Sequence, residues 1–289
     1  MIDALLEYKF LQNAVISAVL ASIACGIIGT IVMEKRLVMM SGGIAHTAFG
    51  GIGMGYYLKI EPILGALAFS IFSSLTIIKI KRSTFTNPDI LIGMFWSLGM
   101  AIGILFIAIT PGYPPDMTSY LFGDILTVSR FDLWIISVLD VLVIITIVTL
   151  YNVFKAYMFD EEFVSVSGIR TSILEYLLFV LIAITVVILI RVVGIILVIA
   201  LFTAPPAIAK LFTYNLKRIM LISTILGSAF CLIGLWFSYE MHISSGASIV
   251  LITVLSYVSI SITRRMLKKE GRVHVTSGMV DIAENMQKG

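Results

Sequence analysis

Apolar runs follow one another along nearly the whole chain, each close to the roughly 20 residues that a helix needs to cross about 30 Å of hydrocarbon. Polar or turn-forming breaks cut them into nine predicted spans, at about 10–33, 38–58, 61–78, 90–110, 133–154, 173–190, 192–211, 219–238 and 243–262. Two cuts are weakly marked. The run from Ile173 to Leu211 is divided only by Arg191 and Gly194, and the second span is glycine-rich enough to form an irregular segment instead. The pattern therefore predicts an all-α, polytopic membrane protein with eight to nine transmembrane helices.

Composition agrees. Of the 289 residues, 59% are hydrophobic and only 13% charged, and the mean hydropathy is +1.06. A water-soluble protein of this length needs more polar surface to cover its core, so membrane lipid is the expected surrounding and nucleic acid is not an expected partner. Cys25 and Cys231 fall inside apolar runs, where cysteine acts as a small packing residue.

The placement of charge gives an orientation. With the N-terminus outside, the inside loops hold Lys35 and Arg36; Lys79, Lys81 and Arg82; Lys155 and Arg170; Lys210, Lys217 and Arg218; and six more basic residues from Arg264 on. Only Lys9, Lys59, Arg130 and Arg191 fall on the other side. Lysine and arginine collect on the cytoplasmic face of membrane proteins, so the C-terminus and the loop around 156–172 are expected to be cytoplasmic. Residues 1–263 read as one membrane domain. Residues 264–289 read as a cytoplasmic tail whose "RRMLKKEGRVHV" anchors to head groups.

Five features carry candidate chemistry. In "SGGIAHTAFGG" (41–51), Gly42, His46, Gly50 and Gly53 share one helical stripe, with Gly43, Thr47 and Gly51 beside it. Small residues let helix backbones approach closely, which accounts for the glycines. An imidazole at membrane depth marks either a hydrogen-bonded interior residue or a ligand along a transport path, and imidazole suits first-row transition metals. The loop "FDEEFVSVSGIRTS" (159–172) opens with Asp160, Glu161 and Glu162 and closes with Gly168, which is helix-capping chemistry. It is either a surface helix or a docking element whose apolar face is Phe163, Val164 and Val166. Pro205 and Pro206 within "TAPPAIA" predict a kinked packing helix or an irregular pathway wall. Asp140 lies in mid-span, as a gate or relay group or as the partner of a neighbouring helix, with Arg191 a candidate. Glu240 and His242 form a Glu-x-His on an outward loop and are weak metal candidates. The 289 residues hold no G-x-x-x-x-G-K-[ST] phosphate loop, so any ATP hydrolysis falls to a separate chain.

The pieces "IAHTAFGG", "SYLFGDILTVS", "FDEEFVSVSGI", "GIILVIALFTAPPAIA" and "SSGASIVL" resemble, in order and spacing, the permease family of metal-ion ABC importers of the manganese, zinc and iron type. The resemblance implies a fold related to the vitamin B12 permease and a pathway formed by two copies. It also implies two cytoplasmic ATPase subunits docked near Asp160–Gly168 and an extracytoplasmic metal-binding protein that delivers the ion. No cofactor is implied on this chain itself; the divalent ion is cargo, and ATP is used by the partner. The protein is then a non-enzymatic transport subunit in a prokaryotic cell membrane. His46 matches the family's metal-contacting histidine, and Gly42, Gly43, Thr47, Gly50 and Pro205 are the expected pathway lining. Gly42 stands where family members commonly carry an aspartate. Loss of that oxygen ligand tilts the expectation from manganese towards zinc and leaves Asp140 or Asp124 to supply the charge. The competing classes are a secondary metal-ion or small-solute transporter, for which Asp140 alone is thin support, and a membrane-embedded hydrolase, for which His46 and Asp140 are too few.

Overall fold

The computed structural model describes residues 7–83, 87–112, 118–123 and 125–287, with residues 267–287 as helix backbone only. The long helices are α1 (Lys9–Glu34), α2 (Val38–Leu58), α3 (Pro62–Ser83) and α4 (Pro88–Ile109). A short α5 (Thr118–Phe122) and a 3-10 turn (Ile125–Thr127) lead into α6 (Arg130–Thr149), α7 (Tyr151–Phe159) and α8 (Glu161–Val166). The chain ends with α9 (Thr171–Val193), α10 (Ile195–Phe212), α11 (Leu216–Met241) and α12 (Ser245–Gln287).

Local chemistry explains several of these starts. The Asn87 side chain accepts the Asp89 amide ahead of α4, with Pro88 in its first turn. Ser129 and Asp132 form a capping box on α6. Asn215 accepts the Lys217 and Arg218 amides of α11. The weakly marked break falls at Gly194, whose φ of +80° separates α9 from α10 and leaves Arg191 in the last turn of α9. The predicted span 133–154 is instead two helices, parted at Leu150.

Among the described residues, eight helices are long and apolar enough to cross a membrane. The glycine-rich α2 is regular and of similar length but less apolar. Its burial supplies the reason: from Met40 to Gly53 every residue is buried except His46, so its side chains meet protein rather than lipid.

The bundle has two packed groups. α2 lies between α3 and α4, with α9 against α3; α1 carries α6, α10 and α11, and α12 covers α10 and α11. The first group is held by backbone-to-backbone contact. A Cβ on Gly50 would stand 2.8 Å from the Gly99 carbonyl oxygen of α4, and one on Gly99 would stand 2.6 Å from Thr47 Cα. Gly53 faces Gly103 in the same way, and Gly51 faces the Gly65 carbonyl of α3. This is small-residue packing, which replaces the missing hydrophobic driving force between helices in lipid.

α10 remains one helix through Pro205 and Pro206, both buried, so the irregular wall is not formed. Pro206 deprives the Phe202 carbonyl of its helical donor. The α1 backbone packs closely against it: a Cβ on Gly29 would stand 2.8 Å from Phe202 O.

Ion pairs gather at the two ends. At the basic end, Glu175 is buried and receives Lys81 Nζ at 2.7 Å and Arg82 Nε at 2.7 Å. Lys210 reaches Glu34 at 2.8 Å, and Lys35 reaches Glu161 at 3.3 Å with its ammonium 3.4 Å from the Tyr157 ring centroid. Burial pushes the Lys35 pKa below its usual range and the Tyr157 phenol above its own. At the opposite end Arg191 bridges Asp132 at 2.8 Å and Glu61 at 2.9 Å. Glu175→Ala is expected to cost about 2–3 kcal/mol. That is below the roughly 3–5 kcal/mol for breaking a fully buried pair, because Lys81 and Arg82 keep 35% of their side-chain surface in contact with solvent. A lowered unfolding midpoint in detergent would show it, and an unchanged midpoint would refute it.

Three glycines join at that opposite end. Gly123 (φ +68°) and Gly194 meet backbone to backbone, and Gly246 at the start of α12 packs on the Phe122 carbonyl. A side chain at any of the three would meet main-chain atoms, so the short α5 segment is seated on the α9–α10 turn and on α12 together.

Candidate functional site

Between Met40 and Gly53 only His46 reaches the protein surface. Its imidazole stacks on the Trp96 indole of α4, with ring centroids 4.1 Å apart and planes 7° from parallel. Nδ1 is enclosed without a hydrogen-bond partner. One turn away, a Cβ on Gly42 would meet only the Ile199 Cδ1 of α10, at 3.7 Å. His46 therefore looks into a cleft with α4 on one flank and α10 on the other. Those two helices make at most marginal contact with each other. Among the described residues, no three metal-ligating side chains come together and no carboxylate lies beside His46.

The other expected lining residues divide. Gly42 borders the cleft. Gly43 packs on the Ile92 side chain, Gly50 packs on Gly99, and the Thr47 hydroxyl donates to the Gly43 carbonyl at 2.5 Å and to the Phe95 carbonyl at 3.4 Å. These three sit in the α2–α4 seam of the single chain, and Pro205 is buried within α10.

Asp140 is buried in α6, against the Ala24 backbone and the Cys25 thiol of α1. Arg191 is not its partner, because Asp132 and Glu61 already take the guanidinium at the end of the bundle. Asp124 lies outside the described residues. Glu240 is exposed in the last turn of α11, and exposed His242 caps that helix in a left-handed conformation (φ 56°). Neither joins a metal-ligating cluster.

A cavity of about 330 Å³ opens at the end opposite the basic belt, on another side of α2 from His46. Tyr56, Glu61, Tyr120 and Arg191 line it, and the two phenolic oxygens are 3.1 Å apart. Burial and the Tyr56 hydroxyl push the Tyr120 pKa up.

The acidic loop folds as its caps imply. Asp160 Oδ1 accepts the Phe163 amide at 2.9 Å and starts α8. Gly168 (φ +81°) ends it, donating to Ser165 while Ile169 donates to Val164, the paired bonds of a Schellman motif. The apolar face splits: Val164 is buried, whereas Phe163 is 63% and Val166 89% exposed. Phe159, 76% exposed, extends the outward patch. Glu161 is tied to Lys35, so this acid anchors the loop to the α1–α2 turn.

Trp96 escaped the sequence reading. Its signal was position: tryptophan belongs at membrane interfaces, yet this one lies inside an apolar span, in "GMFWSLGM".

The profile of the ABC 3 transport family matches residues 7–264. An uncharacterized membrane protein of Synechocystis sp. is 43% identical over 89% of this chain and 93% of its own length. A probable metal transport system membrane protein of Chlamydia pneumoniae is 36% identical, covering 84% of this chain and 85% of its own. A manganese transport system membrane protein of Listeria monocytogenes is 30% identical, covering 89% and 91%. Among solved structures, PsaBC from Streptococcus pneumoniae in complex with Fab superposes with a TM-score of 0.81 at 28% identity, over 90% of this chain and 93% of that one. With a matching profile over nearly its whole length and relatives matched over about nine-tenths of theirs, the chain belongs to the ABC 3 transport family.

Proposed function

We propose that this chain is the membrane-spanning subunit of an ATP-driven importer of divalent transition-metal ions, that two copies enclose one pathway, and that His46 of each copy touches the ion in transit. One observation carries the reading: along fourteen successive positions of α2 the only side chain presented to the outside is the imidazole, and it faces a cleft that this chain leaves open between α4 and α10. Family membership and relatives named for metal transport support it. A second copy across the cleft would supply a second imidazole. An ion held by two nitrogens and water is released more readily than one in a closed four-ligand cage.

The basic end is the cytoplasmic one in this reading, so the C-terminus is cytoplasmic, and the exposed Phe159, Phe163 and Val166 receive the ATPase subunit. A binding protein delivers the ion at the opposite face. Zinc is favoured over manganese, since the shell is nitrogen without carboxylate, although several relatives are named for manganese. Gly42→Asp tests this directly. The space beside Gly42 admits the side chain, so preference in competitive radiometal uptake is expected to move towards manganese; an unchanged ratio would remove the basis for zinc. Docking has its own test. Phe163→Asp with Val166→Asp is expected to abolish co-purification of the ATPase from cells expressing both chains. Retained co-purification would place the contact elsewhere.

A further inference from the structure

α6 and α11 both lie on α1, yet they make at most marginal contact with each other. What remains between them is a furrow of about 480 Å³, floored by Ile23 and Ile27 of α1. Its walls are Ile147 and Val148 on one side and Leu221 on the other. Val148 and Leu221 are 70% and 62% exposed, so the furrow opens sideways where the bundle faces hydrocarbon. A trough of this kind in a bilayer fills with an acyl chain.

At the basic end the apolar walls stop at Tyr151, just past the Leu150 break, and at Lys217 in the first turn of α11. The Lys217 ammonium lies 4.7 Å from the Tyr151 ring centroid. Lys35, Lys81, Arg82 and Lys210 are each satisfied by a carboxylate, whereas among the described residues Lys217 has none. An unneutralised ammonium over a phenol, at the mouth of a hydrocarbon-filled trough, is the arrangement by which basic pockets between transmembrane helices hold anionic head groups.

The geometry points to a structural lipid site: one phospholipid with an anionic head group, an acyl chain in the α1–α6–α11 furrow and its phosphate on Lys217. Neither α6 nor α11 makes more than marginal contact with α2 or α4, so the site is separate from the His46 cleft, and a copy that closes that cleft leaves the furrow to lipid. The site does not depend on the transport reading.

Native mass spectrometry of the detergent-purified protein tests it, with phosphatidylglycerol or phosphatidylcholine of identical chains added. Wild type is expected to retain phosphatidylglycerol preferentially. Lys217→Gln should lower that retention about fivefold, roughly the worth of one lysine at an anionic surface, and Lys217→Arg should preserve it. Leu221→Trp, which fills the furrow from an exposed position, should reduce retention of both lipids. Equal retention of the two lipids by wild type, or no change in Lys217→Gln, overturns the site. So does efficient disulfide cross-linking of two copies through Leu221→Cys, because the furrow would then hold protein.

Discussion

His46→Ala is expected to lower metal uptake about 100-fold, or to background, with the protein still inserted and still co-purifying with the ATPase of the proposed importer. Loss of groups that merely orient a metal ligand already costs about 10–100-fold, so loss of a ligand, the role proposed for His46, belongs at or beyond the top of that range. The fold uses the imidazole little beyond its stack on Trp96: His46 makes no hydrogen bond through Nδ1 and is the one position of its stretch not buried. Trp96 supplies a graded companion experiment. Trp96→Phe keeps a ring against the imidazole and is expected to retain most uptake, whereas Trp96→Ala frees the ring and should lose about tenfold. Uptake of radioactive zinc and manganese into a strain lacking the chromosomal copy reads all three. Wild-type uptake by His46→Ala would reduce the histidine to a packing residue.

Gly51→Val is expected to be the most damaging single change to the fold. Its Cβ would overlap the Gly65 carbonyl, and both sides of the contact are backbone, so no side chain can turn away. Overpacking costs about 1–3 kcal/mol where neighbours can shift. Here α2 and α3 must part, and the cost should exceed about 3 kcal/mol. Gly93→Ala is the control. Nothing lies within 4 Å of its added Cβ, and alanine in a helix interior is favoured over glycine by about 1 kcal/mol. Membrane yield and thermal midpoint in detergent should collapse for the first and hold or rise for the second. Equal behaviour would mean that α2 and α3 are not held by direct backbone contact.

Much of this architecture was legible from the apolar runs, because in lipid a helix needs length and hydropathy before anything else. The glycine stripe was legible as packing and only ambiguously as pathway. Glycine at one spacing serves both, and only the backbone contacts of Gly50 with Gly99 and of Gly51 with Gly65 separate them. The α6–α7 break at Leu150 carries neither glycine nor proline, so no local signal announced it. The opposite happened at Pro205 and Pro206, where a strong breaking signal did not end the helix, and α1 packs against the freed Phe202 carbonyl. Arg191 could not be assigned from sequence, since its partners Asp132 and Glu61 are far from it along the chain and meet it only at the rim of the bundle. His46 was visible because one imidazole in an apolar span is costly; that it alone faces outward required the neighbouring helices.

The junction of Gly123, Gly194 and Gly246 sets an order of events during biogenesis. The segment that ends in Gly123 emerges from the ribosome before the α9–α10 turn and well before α12, so neither of its seats exists when it is made. Its exposed carbonyls cannot wait in hydrocarbon, and it is too short to be taken up as a span. It must remain in water outside the bilayer until α12 arrives with Gly246. The face opposite the basic end is therefore closed last, by α12, and a nascent chain arrested before residue 246 is expected to have its earlier spans inserted and that face unfinished.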